Sequence, residues 1–134
     1  MTRKLILVGA IGTAFLALVA AAPPSSLTQV QPGLWEIKGV PGVAGVARQC
    51  VADVSLLTRF EHRAKNCTEK LLKATGLESE FDYNCGAAGF GHSEVTVITP
   101  RSIKISTQGI SDGLPFNYVL QARRVADCPS TPRH

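Results

Sequence analysis

From Leu77 to Cys85 the chain places Leu77, Ser79, Phe81, Tyr83 and Cys85 at odd positions and Glu78, Glu80, Asp82 and Asn84 at even ones. A side-chain period of two, apolar or small against acid or amide, is that of a strand with one buried and one wet face. The run before it, Cys67 to Lys73, can lie antiparallel to it through a turn at Ala74, Thr75 and Gly76. With the turn centred on Gly76, Leu71 falls opposite Phe81 on the buried face, Lys70 opposite Asp82 on the wet one, and Cys67 opposite Cys85. Opposed cysteines in an antiparallel pair are within bridging distance, so the register predicts a disulfide from Cys67 to Cys85. In the chain-entropy account a loop of this size is worth about 3 kcal/mol.

The same alternation recurs along the chain. Trp35 and Ile37 share a face after a turn at Pro32 and Gly33, and the single tryptophan reads as a core anchor. Gly39 to Gly45 is a hairpin loop leading to a strand over Val46 to Val51. Asp53 is placed to cap a helix whose Leu56, Leu57, Phe60 and Ala64 fall on one side, with Arg59, Arg63 and Lys65 gathered toward its C-terminal end. After a Gly and Ala linker over Gly86 to Gly91, strands come at His92 to Thr99 and Ser102 to Gln108. A loop from Gly109 to Gly113 leads to the last strand, with Phe116, Tyr118, Leu120 and Ala122 on one face. The fold predicted is mainly β: a curved antiparallel meander sheet, or a small open barrel, of about seven strands, stapled by disulfides and carrying one short helix.

Composition changes the picture mostly at the N-terminus. Arg3 and Lys4 precede an apolar run from Leu5 to Val19 and then Ala20 to Ala22, the layout of a secretory signal peptide cut after Ala20 or Ala21. The predicted organisation is a signal over residues 1–22, a flexible lead over 23–31, one β-rich domain over 32–128 and a disordered tail over 129–134. Of 14 Lys and Arg, Arg3 and Lys4 leave with the signal, so 12 bases face 10 acids, a net of +2. That mild surplus, in an exported chain, argues against a nucleic-acid partner. No membrane span is expected after cleavage. Four cysteines in a small exported protein form a disulfide framework by default, and with Cys67 joined to Cys85 the remaining pair is Cys50 with Cys128.

The chemistry of catalysis is thinly represented. Gly91, His92, Ser93 and Glu94 lack the glycine spacing of a nucleophile elbow, and in a strand Ser93 faces away from His92 and Glu94. His62, His92 and His134 stand at no metal-ligand spacing, and no Cys-x-x-Cys pair exists. Gly86, Gly89 and Gly91 reverse the dinucleotide fingerprint. No catalytic set, cofactor or metal is therefore expected.

Pro32, Gly33, Leu34, Trp35 and Glu36, then Gln49 and Cys50, the Cys67 and Cys85 pair, and Arg123 to Pro129 together resemble an exported family of Gram-negative bacteria, the domain-of-unknown-function family thirty-six seventeen. Ala126 stands where members usually have glycine. The resemblance implies a small periplasmic protein with four cysteines and brings no activity with it. The leading expectation is a non-enzymatic binding or envelope-associated module, taking a small apolar ligand or an envelope protein. Its candidate ligand face is the concave surface near Trp35, Phe81, Tyr83, Phe116 and Tyr118. The alternatives are an interaction or inhibitor module docking through an edge strand or the Gly39 to Gly45 loop, and a hydrolase with a composite site around His92.

Overall fold

A computed structural model describes residues 25–130. The segment expected to be a signal peptide, the first two residues of the lead and the last four of the tail lie outside the described residues. Seven strands form one antiparallel sheet: β1 (Gly33–Lys38), β2 (Val46–Val51), β3 (Thr68–Ala74), β4 (Glu78–Asn84), β5 (Gly89–Thr99), β6 (Ser102–Ser111) and β7 (Leu114–Ala126). Their order is β2-β1-β7-β6-β5-β4-β3, so β3 to β7 run as an uninterrupted meander and the β1–β2 hairpin adds beside β7. The sheet is open, with β2 and β3 as its edges.

The register of the β3–β4 hairpin is the one that the cysteines and Gly76 predict. Lys70 opposes Asp82, Leu71 opposes Phe81 and Thr68 opposes Asn84, and the disulfide joins Cys67 to Cys85 just beyond. The second bridge joins Cys50 to Cys128. One expectation fails on this hairpin. Leu71 and Leu77 are 38% and 53% exposed, because β3 is an edge that nothing covers, and a bulge between Leu71 and Lys73 turns the strand out of its pleat.

One face of the sheet holds the core: Trp35, Ile37, Phe81, Val95, Val97, Ile103, Ile105 and Leu120 are buried there. Two irregular segments cover it. The first is the lead, which is not flexible from Ser25 onward: Ser26–Gln29 forms a 3₁₀ turn that buries Leu27, and Val30 continues from it into the core. The Ser26 amide donates to Ser79 Oγ at 2.7 Å, which fixes the turn against β4. The second is the crossover from β2 to β3, where the spacing predicts a helix. Asp53 does cap, accepting from the Ser55 amide at 3.0 Å, but the capped segment is a pair of 3₁₀ turns, Val54–Leu57 and Phe60–His62. Arg59 breaks the path at φ −124°, ψ 43°, and Thr58 turns its hydroxyl back on the Ser55 carbonyl at 2.6 Å. Val54, Ser55 and Thr58 are all weak helix formers, Val54 because its branched Cβ loses rotamer freedom in a helix, Ser55 and Thr58 because their hydroxyls can compete for backbone groups. The tighter turns still direct Leu57 and Phe60 into the core.

β5 and β6 are both longer than expected. Gly89 to Gly91 belong to β5 rather than to a linker, and β6 continues through Gly109 to Ser111, leaving only Asp112 and Gly113 as the turn.

Candidate functional site

The five aromatics expected to form a ligand face do share one face, but it is the core face and the two covering segments have closed it. Trp35, Phe81 and Tyr83 are at most 4% exposed, and Phe116 and Tyr118 are half-buried. Their polar atoms fasten the crossover to the sheet. Tyr118 donates to Glu61 Oε2 at 2.7 Å. His62, itself buried, lies 3.0 Å through Nε2 from the Ala88 carbonyl and 3.3 Å through Nδ1 from Tyr83 Oη. A carbonyl can only accept, so Nε2 carries a proton; in the neutral ring Nδ1 then accepts from the Tyr83 hydroxyl. Burial pushes the Tyr83 phenol up to about 12. It also raises that of Tyr118, where the neighbouring Glu61 carboxylate adds to the effect.

A second polar tie lies beside the first. Ser93 donates to the Thr58 carbonyl and pairs with Thr107 Oγ1 at 2.9 Å. Thr58 Oγ1 is 2.6 Å from both the Ser55 carbonyl and the Glu69 carboxylate. One hydroxyl proton cannot serve two acceptors. Partial desolvation holds Glu69 above the usual carboxylate range, and a proton on Glu69 would satisfy the second contact. Among the described residues no buried side-chain nitrogen or oxygen lacks a partner.

The opposite face carries the open site, a groove of about 870 Å³ across β3 to β7. Cross-strand pairing organises it into two rows. Asn84, Phe90, Ile110 and Pro115 are successive partners in one; Lys70, Asp82, His92, Gln108 and Asn117 are successive partners in the other. Between them runs the row of Tyr83, Gly91, Gly109 and Phe116, whose two side chains point to the other face. The floor of the groove is therefore backbone. Glycine is required there: a Cβ at Gly91 would lie 2.4 Å from Tyr83 Oη, and one at Gly109 would lie 2.1 Å from the Phe90 carbonyl.

Phe90 is 53% exposed at the centre of the apolar row. In the polar row His92 Nδ1 is 2.7 Å from Asp82 Oδ1, and its Nε2 is 3.9 Å from Glu94 Oε1. The groove is hidden in the sequence because its Gly and Ala surroundings look like a linker. The signal that could have found it is the alternation of β5 carried back to Gly89, which sets Phe90 on the wet face with glycines on either side.

The remaining chemistry is sparse. Ser93 is committed to the buried face, away from His92. No group of three or more His, Cys, Asp or Glu could hold a metal among the described residues. No described helix is long and apolar enough to cross a membrane. All four cysteines are in disulfides, which places the chain in an oxidising environment.

Comparison with known proteins gives one match. The model of a family described as "Protein of unknown function (DUF3617)" covers residues 30–128, from the last residues of the lead to the final cysteine. No curated protein and no solved structure matches the chain.

Proposed function

The chain belongs to the DUF3617 family, and we propose that it is a non-enzymatic binding module, exported to the periplasm, whose ligand lies in the outer groove. The observation that carries this reading is a half-exposed phenylalanine on the apolar side of a groove of about 870 Å³, on a sheet whose other face already holds a filled core. An apolar side chain set among converging polar groups is the usual composition of a ligand site. The aromatics expected from the sequence to contact ligand support the groove from behind: Tyr83 and Phe116 underlie its glycine floor.

The test is native mass spectrometry of the protein exported into a bacterial periplasm, beside the Phe90→Ala variant. Bound mass on the wild type that disappears from the variant, with melting temperature unchanged, is the expected result. A wild type that arrives bare, or bound mass that survives the substitution, would count against it.

One observation favours a hydrolase instead. His92 lies in the groove beside an acid from another strand, and a carboxylate on Nδ1 is how a catalytic imidazole is oriented. Ser93, the adjacent hydroxyl, faces the other way, so the pair would have to activate water. Turnover of nitrophenyl esters or glycosides that is abolished in His92→Asn would establish this reading over the first. Docking through the β3 edge has less support, since Lys70, Lys73 and the bulge guard that strand.

A further inference from the structure

The chemistry of the groove narrows what it takes, on the premise that the groove is the binding site. We propose that its ligand is an uncharged oligosaccharide, lying across β4 to β7 with one sugar ring against Phe90 and its hydroxyls toward the opposite row.

Charge excludes the simplest rivals. Lys70 is opposed directly by Asp82, and Asp82 also holds His92. Glu94 stands next along the same face. A phosphate or carboxylate entering here would face the Asp82 and Glu94 carboxylates, with Lys70 the one lysine in the row. A cation finds no cluster of ligands among the described residues. The ligand suited to such a row is polar and neutral.

The polar row also has the right donors and acceptors. Gln108 and Asn117 are directly opposed across β6 and β7, and both are exposed. A side-chain amide presents donors and an acceptor in one plane, which pairs with adjacent hydroxyls of a sugar ring. The Asp82–His92 pair adds a charged acceptor and a ring nitrogen to the same row. An acyl chain laid here would strip water from those amides and give nothing in return, and an unpaired amide costs about 1–3 kcal/mol on the protein-mutational scale.

The apolar row supplies the other half of sugar recognition. The C–H face of a pyranose ring is apolar and packs on an aromatic plane, and Phe90 with its direct neighbour Ile110 offers that surface. Rows two residues apart on a strand are separated by about 6.6 Å, so a ring seated on the backbone floor between them reaches both. From β4 to β7 the strands cover about 14 Å, a length that suits a chain of rings rather than a single one.

The experiment titrates isotope-labelled wild type, Phe90→Ala and Gln108→Ala with maltopentaose, cellopentaose and chitotetraose, and separately with laurate, following backbone amide shifts. Both substituted residues are exposed, and a melting curve for each variant confirms the fold. The expected result is that at least one oligosaccharide shifts the amides of Phe90 to His92 and Gln108 to Ile110. Its affinity should fall at least tenfold in Phe90→Ala and about fivefold in Gln108→Ala. If laurate alone moves those amides, the groove stands as the site and the sugar is wrong. If no probe moves them, or the shifts fall elsewhere, both the sugar and the groove assignment are overturned.

Discussion

Tyr83 and Tyr118 are the only tyrosines in the chain, and both hydroxyls are held under the crossover by His62 and Glu61. Their folded pKa values lie above the ordinary 10.0, that of Tyr83 at about 12. A phenol whose folded pKa is raised gives stability that is intact below 10 and declines as pH rises through the folded value, since the unfolded chain ionises first. Alkaline titration followed at 295 nm should therefore show almost no phenolate at pH 10.5 in the native protein, then a steep rise coinciding with loss of tertiary structure. Two ordinary titrations centred near 10 would mean that the tyrosines are solvated and the crossover is not closed. Glu69 behaves in the same sense at lower pH. Its raised folded pKa means that stability falls as pH climbs from 4.5 through the folded value. Glu69→Gln replaces the contested contact with an amide that donates to Thr58, so at neutral pH the variant should match or exceed the wild type by up to about 1 kcal/mol in urea unfolding. A loss of more than that would show the carboxylate to be a favourable acceptor.

At the scale of elements, the two covering segments depart from expectation because their burial does not obey a strand's alternation. Leu27 is buried from a 3₁₀ turn and Val30 from the extended residue that follows it, so the two share no single period. Too few apolar residues stand there to reveal a period. Leu56, Leu57, Phe60 and Ala64 fit a helix equally well on spacing alone; the deciding residues are Thr58 and Arg59, whose effect depends on contacts with β3 and β5. The strands are legible because alternation is local, and the β3–β4 register because one glycine and two cysteines constrain it. Phe90 escapes for the opposite reason: an apolar residue on a wet face breaks the pattern that identifies strands. The lead now carries a quantitative expectation. Leu27→Ala should cost about 2–4 kcal/mol, the range for emptying a buried leucine site, while Leu77→Ala on the exposed hairpin should cost less than about 0.5 kcal/mol. Equal and small effects in denaturant melts would return the lead to the flexible segment that its composition suggests.

For the whole molecule, the design problem is an open sheet with two edges. The β2 edge is tied at Cys50 to Cys128 beyond β7, a bridge that spans β1 and closes a long loop. The β3 edge is tied at its start by Cys67 to Cys85, but along its length every residue from Thr68 to Lys73 is exposed. Leu71 and Leu72 lie there at 38% and 45% exposure, which is the composition of a strand able to add to another copy. Lys70 and Lys73, with the bulge beside Leu71, are the devices that natural sheets use against such pairing. Lys73 also reaches Glu80 at 3.5 Å, which is a weak pair at this exposure, so its value lies in the charge it places on the edge. Replacing both lysines by valine raises strand propensity and removes that charge while leaving the core untouched. In sedimentation velocity across a concentration series the wild type should stay monomeric, and Lys70→Val/Lys73→Val should self-associate with its melting temperature unchanged at low concentration. A double variant that remained monomeric would shift the protection of the edge from the lysines to the bulge. A wild type that already paired would make β3 the contact surface and put the docking module ahead of the groove.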